Sequence, residues 1–281
     1  MRRVVGFVVF ASSALACGLG LEGTLADSNV SDAGEAPEAS LPPAPAPPPA
    51  PEDDAGADAG DASDAAVDAQ DASAITFVQQ VTTPYVSATT ITASLNVTAG
   101  NALVVAAYWS STQPVTVTDT LGNTFVPITA SGRTSCNLAA NTQLWYALAA
   151  KGGADTVTLT APSSSGPGLA VLEYAGVAAT GALDVESHQA TSSTSSTTTV
   201  PNLTTTGARD VIIALFADCN GSGTMSPGMG FTARSRDTTF FAIVEDNLPG
   251  VGPGTYPVTA TLPVGKNDNC WAGTAIALRA Q

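Results

Sequence analysis

An all-β fold is expected: a duplicated β-sandwich, immunoglobulin-like or jelly-roll, carried behind a disordered acidic stalk. Three observations lead there. Beyond residue 74, short Val/Ile/Thr/Tyr/Phe runs recur between Gly, Asn, Asp and Pro, the spacing of strands and turns. No segment sustains a 3.6-residue apolar period, so helix content should be small. A series of such runs then appears a second time, in the same order.

The strands follow one by one. Ala102–Trp109, Val115–Asp119, Thr124–Ile128, Gln143–Leu148, Thr156–Thr160 and Leu169–Tyr174 are the runs of the first series. In Ala102–Trp109 both alternating sets are apolar, Leu103, Val105, Ala107 and Trp109 on one side and Val104, Ala106 and Tyr108 on the other. That composition suits a central strand covered on both faces. The second series matches Leu103–Ala107 with Val211–Leu215, Gly122–Phe125 with Gly228–Phe231, and Trp145–Leu148 with Phe240–Ile243. It continues with Val157–Thr160 against Val258–Thr261 and Leu169–Tyr174 against Thr274–Leu278, while Asn96-Val97-Thr98 returns as Asn202-Leu203-Thr204. The expected organisation is a first repeat over 75–181 and a second over 182–281. Whether they form two sandwiches or one fused core is open. Residues 182–201 join them without a proline-rich linker, which leans towards a shared interface. Thr191–Thr199 reads as an edge, with a strand of that composition as the alternative.

The N-terminal part has a different character. Arg2 and Arg3 precede the uncharged run Val4–Ala16, too short to cross a bilayer as a helix and fitting a signal peptide. The run closes on Ser13-Ala14-Leu15-Ala16-Cys17. Here residues 1–17 resemble the signal segment of bacterial lipoproteins, and the resemblance implies cleavage before Cys17 and a diacylglycerol on that cysteine. Ala14 stands where that family's box most often has leucine, and a freely secreted protein is the alternative. Residues 18–74 hold a Pro/Ala tract from Leu41 to Pro51 and an irregular Asp-Ala series over 53–72, with thirteen acids and no base. Like charges without aromatic residues cannot bury enough surface to offset backbone entropy, so this linker should be disordered and extended. Its irregular acids lack the fixed offsets, glycine turn and closing glutamate of a calcium loop.

Charge excludes some functions. Of the net −15, residues 75–281 contribute eleven acids against seven bases, about −4. No basic patch is present, which argues against nucleic acid as a partner. His188 is the single histidine, which removes metal sites and triads needing two imidazoles, and no cofactor or metal is implied. After Cys17 the cysteines are Cys136, Cys219 and Cys270. Cys219 ends the strand Asp210–Asp218 and Cys270 begins the last one, so antiparallel strands put both at one end. A Cys219–Cys270 disulfide is therefore expected, leaving Cys136 over. It would close a loop of about 50 residues and contribute about 3–4 kcal/mol in the chain-entropy model.

Weak catalytic candidates are Glu173 and Glu245, with Asp246 beside the latter, because paired carboxylates serve acid–base chemistry on glycosides. Cys219-Asn220-Gly221-Ser222-Gly223 is a turn, not a nucleophile elbow. Trp109 and Trp271 are the aromatic candidates for a sugar platform, against core packing as the usual role of strand aromatics. Asp119–Phe125, Trp145–Ala147, Gly153–Thr158 and Leu172–Gly176 together resemble β-sandwich modules of secreted bacterial proteins, a resemblance that implies a fold and almost nothing about function. The expectation is an exported cell-envelope protein at the outer membrane or cell surface through a lipid anchor, otherwise periplasmic or secreted. It would present a non-catalytic binding or adhesion module to polysaccharide or a surface protein. The alternatives are a carbohydrate-active hydrolase or lyase, and a passive structural surface protein.

Overall fold

The computed structural model describes residues 74–281 except 112, 129–133, 137–139, 162–165, 192–194, 219–222 and 263–269. The signal segment with Cys17, the linker over 18–73 and Cys219 lie outside the described residues. Every regular element that is described is a strand. The first half contains β1 (Thr76–Thr83), β2 (Thr90–Val97), β3 (Ala102–Trp109), β4 (Thr116–Asp119), β5 (Val126–Pro127), β6 (Thr134–Cys136), β7 (Ala140–Ala147), β8 (Gly153–Thr160) and β9 (Gly168–Ala175). The second contains β10 (Leu183–Thr191), β11 (Thr197–Thr205), β12 (Asp210–Asp218), β13 (Ser226–Pro227), β14 (Thr232–Asp237), β15 (Ala242–Asp246), β16 (Gly254–Thr261) and β17 (Trp271–Arg279).

All pairings are antiparallel, and the strand orders of the two halves correspond step for step. A large sheet runs β1-β9-β3-β7-β5, with β6 also on β7, and a small one β2-β8-β4. Their counterparts run β10-β17-β12-β15-β14 and β11-β16-β13. In each half the first strand pairs with the last and the second with the next to last. This nested wrapping is the jelly-roll order. Even an irregularity recurs: β1 is bulged at Val78, against Phe77↔Tyr174 and Gln79↔Glu173. β10 is bulged at Asp184, between Leu183↔Leu278 and Val185↔Ala277.

Burial explains the two kinds of strand pattern. Val104, Ala106, Leu172 and Tyr174 from the first large sheet share one core with Ile213, Leu215, Ile276 and Leu278 from the second. The opposite face of the first large sheet, with Leu103, Val105, Trp109 and Val171, packs on Ile91, Val157 and Leu159 of its small sheet. Ile212, Ala214, Phe216 and Ala277 do likewise with Val200, Leu203 and Val258. The halves are thus fused through a central core with an outer core on either side. β3, β12 and the body of β17 are buried at every position, whereas β2 alternates exposed and buried along its whole length. The former are covered twice and the latter only once.

The sheets also correct the internal alignment. Leu103 faces an outer core and Val211 the central one, so pairing them places residues on opposite faces. A one-residue slip inverts a strand. Equivalent facing matches Leu103 with Ile212. Trp145 lies opposite Val105 and Glu245 opposite Ala214, so Trp145–Leu148 corresponds to Glu245–Leu248 rather than to Phe240–Ile243. The apolar triplets are alike in composition but not equivalent in position.

Candidate functional site

The tryptophans belong to the cores and not to a rim. Trp109 is fully buried on β3 and its Nε1 donates to the Gln113 carbonyl at 3.0 Å. Trp271 is buried at the start of β17, edge-on to Phe216 at 6.3 Å. Both sit on doubly covered strands, so neither offers a ring face to a ligand.

Nor do the carboxylates form a pair. Glu173 on β9 faces the outer core of the first half. It accepts hydrogen bonds from Gln79 Nε2 (2.5 Å), the Thr98 amide (2.8 Å) and Asn101 Nδ2 (2.6 Å). It ties β1 and the β2–β3 turn to β9, a structural task. Glu245 faces the outer core of the second half, on the far side of both large sheets. Its Oε2 accepts the Gly228 amide at 3.0 Å while Oε1 has no partner among the described residues. Burial, reinforced by neighbouring Asp246, pushes its carboxyl up to about 8. Nothing brings these two groups to one space. His188 is exposed on the edge strand β10. Cys270 is buried and its sulfur is not free.

A polar seam unmarked in the sequence reading runs between the two large sheets. Tyr108 and Tyr174 of the first half donate to Asp237 and Asp246 of the second, each at 2.8 Å. Asp237 also accepts the Tyr85 amide at 2.6 Å. A bulge in β14 between Ala233 and Ser235 re-aims Arg234. Arg234 then binds Asp246 with Nε and Nη2 at 2.7 and 2.9 Å, and stacks over Phe77 at 4.3 Å from the ring centroid. Burial is the main cause raising both tyrosine hydroxyls, and the adjacent carboxylates add to it. A cleft of about 240 Å³ opens along this seam beside Gln80, Thr82, Arg234 and Ser235. Its groups are already engaged: Thr82 and Ser235 bond each other at 2.8 Å, and Arg234 is neutralised by Asp246. The seam holds the halves together.

A second cavity is an apolar recess of about 220 Å³ at one end of the second half. The β13–β14 turn contributes Met229 and Phe231, the β15–β16 loop Asn247 and Val251, and the start of β16 Tyr256 and Pro257. Met229 is 96% exposed. The Tyr256 hydroxyl is turned back onto the Gly252 carbonyl at 3.0 Å, which fixes the ring. Asn247 is 8% exposed, and its Oδ1 accepts the Ile212 amide at 2.7 Å. That bond fixes the amide, and its Nδ2 finds no acceptor among the described residues.

The corresponding three segments of the first half are laced together instead. Asp155 Oδ1 accepts the Thr120 hydroxyl at 2.8 Å and the Thr120 amide at 3.1 Å. Asn123 is held by Asp119 at 2.6 and 2.9 Å and accepts the Lys151 amide at 2.8 Å. Lys151 Nζ reaches the carbonyls of Leu121 and Gly122 at 2.9 and 3.0 Å. In the second half Met229 replaces Asn123 and Tyr256 replaces Asp155, and the lacing gives way to a recess. The signal was available in the matched turns, where polar residues of one repeat face apolar ones of the other.

No protein-family model, characterised protein or solved structure matches this chain.

Proposed function

We propose that this chain is an exported cell-envelope protein, anchored by lipid at Cys17 and carried on an extended acidic linker, whose β-sandwich is a non-catalytic binding module. The recess beside Met229, Phe231 and Tyr256 is its binding site. The observation that carries this reading is the contrast between the halves. The same three segments are cross-linked by polar groups in one and left open around exposed apolar side chains in the other. An unfilled apolar recess with a fixed polar donor suits a ligand better than it suits stability. The carboxylates Glu173 and Glu245 face opposite sides of the molecule, which disfavours the hydrolase or lyase alternative.

The Cys219–Cys270 disulfide belongs to the same proposal. Asp218 pairs with Trp271 as the last register step of β12 and β17, and Cys219 and Cys270 adjoin that pair in the sequence. A non-reducing digest is expected to yield a Cys219–Cys270 peptide, and a Cys136 linkage would contradict it. Mass spectrometry of the mature chain is expected to find a lipid-modified Cys17, whereas an unmodified cysteine would remove the anchor. Binding is tested by retention of the full-length chain on immobilised polysaccharides and acidic polypeptides. Retention weakened by Met229→Ala supports the recess, and no retention on any surface would overturn the binding reading.

A further inference from the structure

We infer that the recess takes a single uncharged sugar ring of a neutral polysaccharide, an inference that rests on the recess being the binding site. Its walls determine the class. Phe231, Tyr256, Met229 and Pro257 offer apolar and aromatic surface, which suits the C–H face of a pyranose. No acid or base is among the lining residues, so a carboxylate or ammonium group would lose its hydration without gaining a partner. The polar feature that determines orientation is Asn247. Its acceptor atom is committed to the Ile212 amide at 2.7 Å, which leaves the Nδ2 protons to meet an oxygen of the ligand. A purely aliphatic side chain from a protein partner would cover that donor and leave it unsatisfied. A sugar hydroxyl at the edge of a stacked ring satisfies it.

Size points the same way. About 220 Å³ falls below the roughly 300–1,000 Å³ of pockets that enclose drug-sized ligands. One ring fits while the chain on either side runs over the surface. The open flank beside exposed Met229 and Gly230 lets a polymer enter without an end. Affinity per site should accordingly be weak, and many anchored copies on one surface would raise it by avidity.

The test uses full-length protein on a neutral glucan, a neutral mannan, polygalacturonate and polyglutamate, with three variants. Asn247→Asp keeps an oxygen to accept the Ile212 amide and removes the donor, so it should fold and bind a neutral polymer about ten-fold more weakly. Met229→Ala alters a 96% exposed side chain and should weaken binding by a smaller factor. Tyr256→Leu removes the ring and should abolish retention, with circular dichroism confirming the strand content. Retention on a neutral polymer with these losses supports the inference. Retention on polygalacturonate or polyglutamate alone, sensitive to Met229→Ala, would leave the binding site standing and overturn the neutral-sugar assignment. Neutral-polymer binding unchanged in all three variants would overturn both. Retention on none of the four would overturn the inference and the binding reading together.

Discussion

At the residue scale, the buried acids make stability depend on pH in a direction that can be derived. Asp210 is fully buried, with the Asp184 carboxyl and the Gly207 amide as its hydrogen-bonding neighbours. Burial and the hydrogen-bonded Asp184 carboxyl push it up to about 6. Burial also opposes ionisation of Asp184, but hydrogen bonds from Thr206 and the contact with Asp210 hold it below the usual carboxylate range. Arg279 completes that cluster by pairing with Asp184. Glu245, pushed up to about 8, starts from an ordinary value of 4.5. An acid with a raised folded pKa keeps its proton in the native state after the unfolded chain has lost it. Its contribution is therefore intact below the unfolded value and is lost as pH rises through the folded one. Stability should fall between 4.5 and about 8, at about 1.4 kcal/mol per pH unit for each group still in its window. The depressed Asp184 acts in the opposite sense only at lower pH. Urea titrations across that range should show the decline in the parent protein and a much flatter profile above about 6 in Glu245→Gln. An unchanged profile in the variant would contradict the assignment.

Elements carry the next level of the account. β3 and β12 are long strands buried at every residue, and truncating one of their large side chains leaves a cavity that cannot relax into solvent. Trp109→Ala should cost about 3–5 kcal/mol and leave sugar retention per folded molecule unchanged, since Trp109 lies in the other half from the recess. A loss of binding at unchanged stability would restore it as a platform. Arg234→Ala should cost about 3–5 kcal/mol, because it leaves Asp246 buried without its cation, and a urea midpoint shifted only slightly would contradict that. Strand positions such as Ala102–Trp109 were legible because a sheet writes its period into the sequence, and that run is apolar on both alternating sets because it is covered twice. The polar seam was not legible. Tyr108–Asp237 and Tyr174–Asp246 join residues 129 and 72 positions apart, and no local pattern announces a partner on another sheet. The facing error in matching Leu103 to Val211 has the same origin. Composition identifies a fully buried strand without saying which residue faces which core.

For the whole molecule, the decisive feature is the central core that both halves share. Val104, Leu172 and Tyr174 rely on Ile213, Leu215 and Leu278 for their cover, so neither half should be stable alone. Residues 182–281 produced separately are expected to aggregate or to lack a cooperative urea transition, whereas a monomeric, cooperatively folding fragment would show that the shared core is dispensable. The sequence hinted at fusion through the missing proline-rich linker, but only the sheets reveal which faces meet. Within this frame the halves differ at one end, laced in the first and open in the second, and the open end is the proposed binding site. The most direct test of that claim observes the methyl groups of the methionines. After Met1 the chain has only Met225, which is buried, and Met229, which is exposed at the recess. In methyl-labelled protein titrated with a neutral glucan or mannan oligomer, the Met229 signal is predicted to shift progressively while that of Met225 stays in place. Binding detected by calorimetry with neither methyl moving would contradict the account, because the ligand would then sit elsewhere on the molecule.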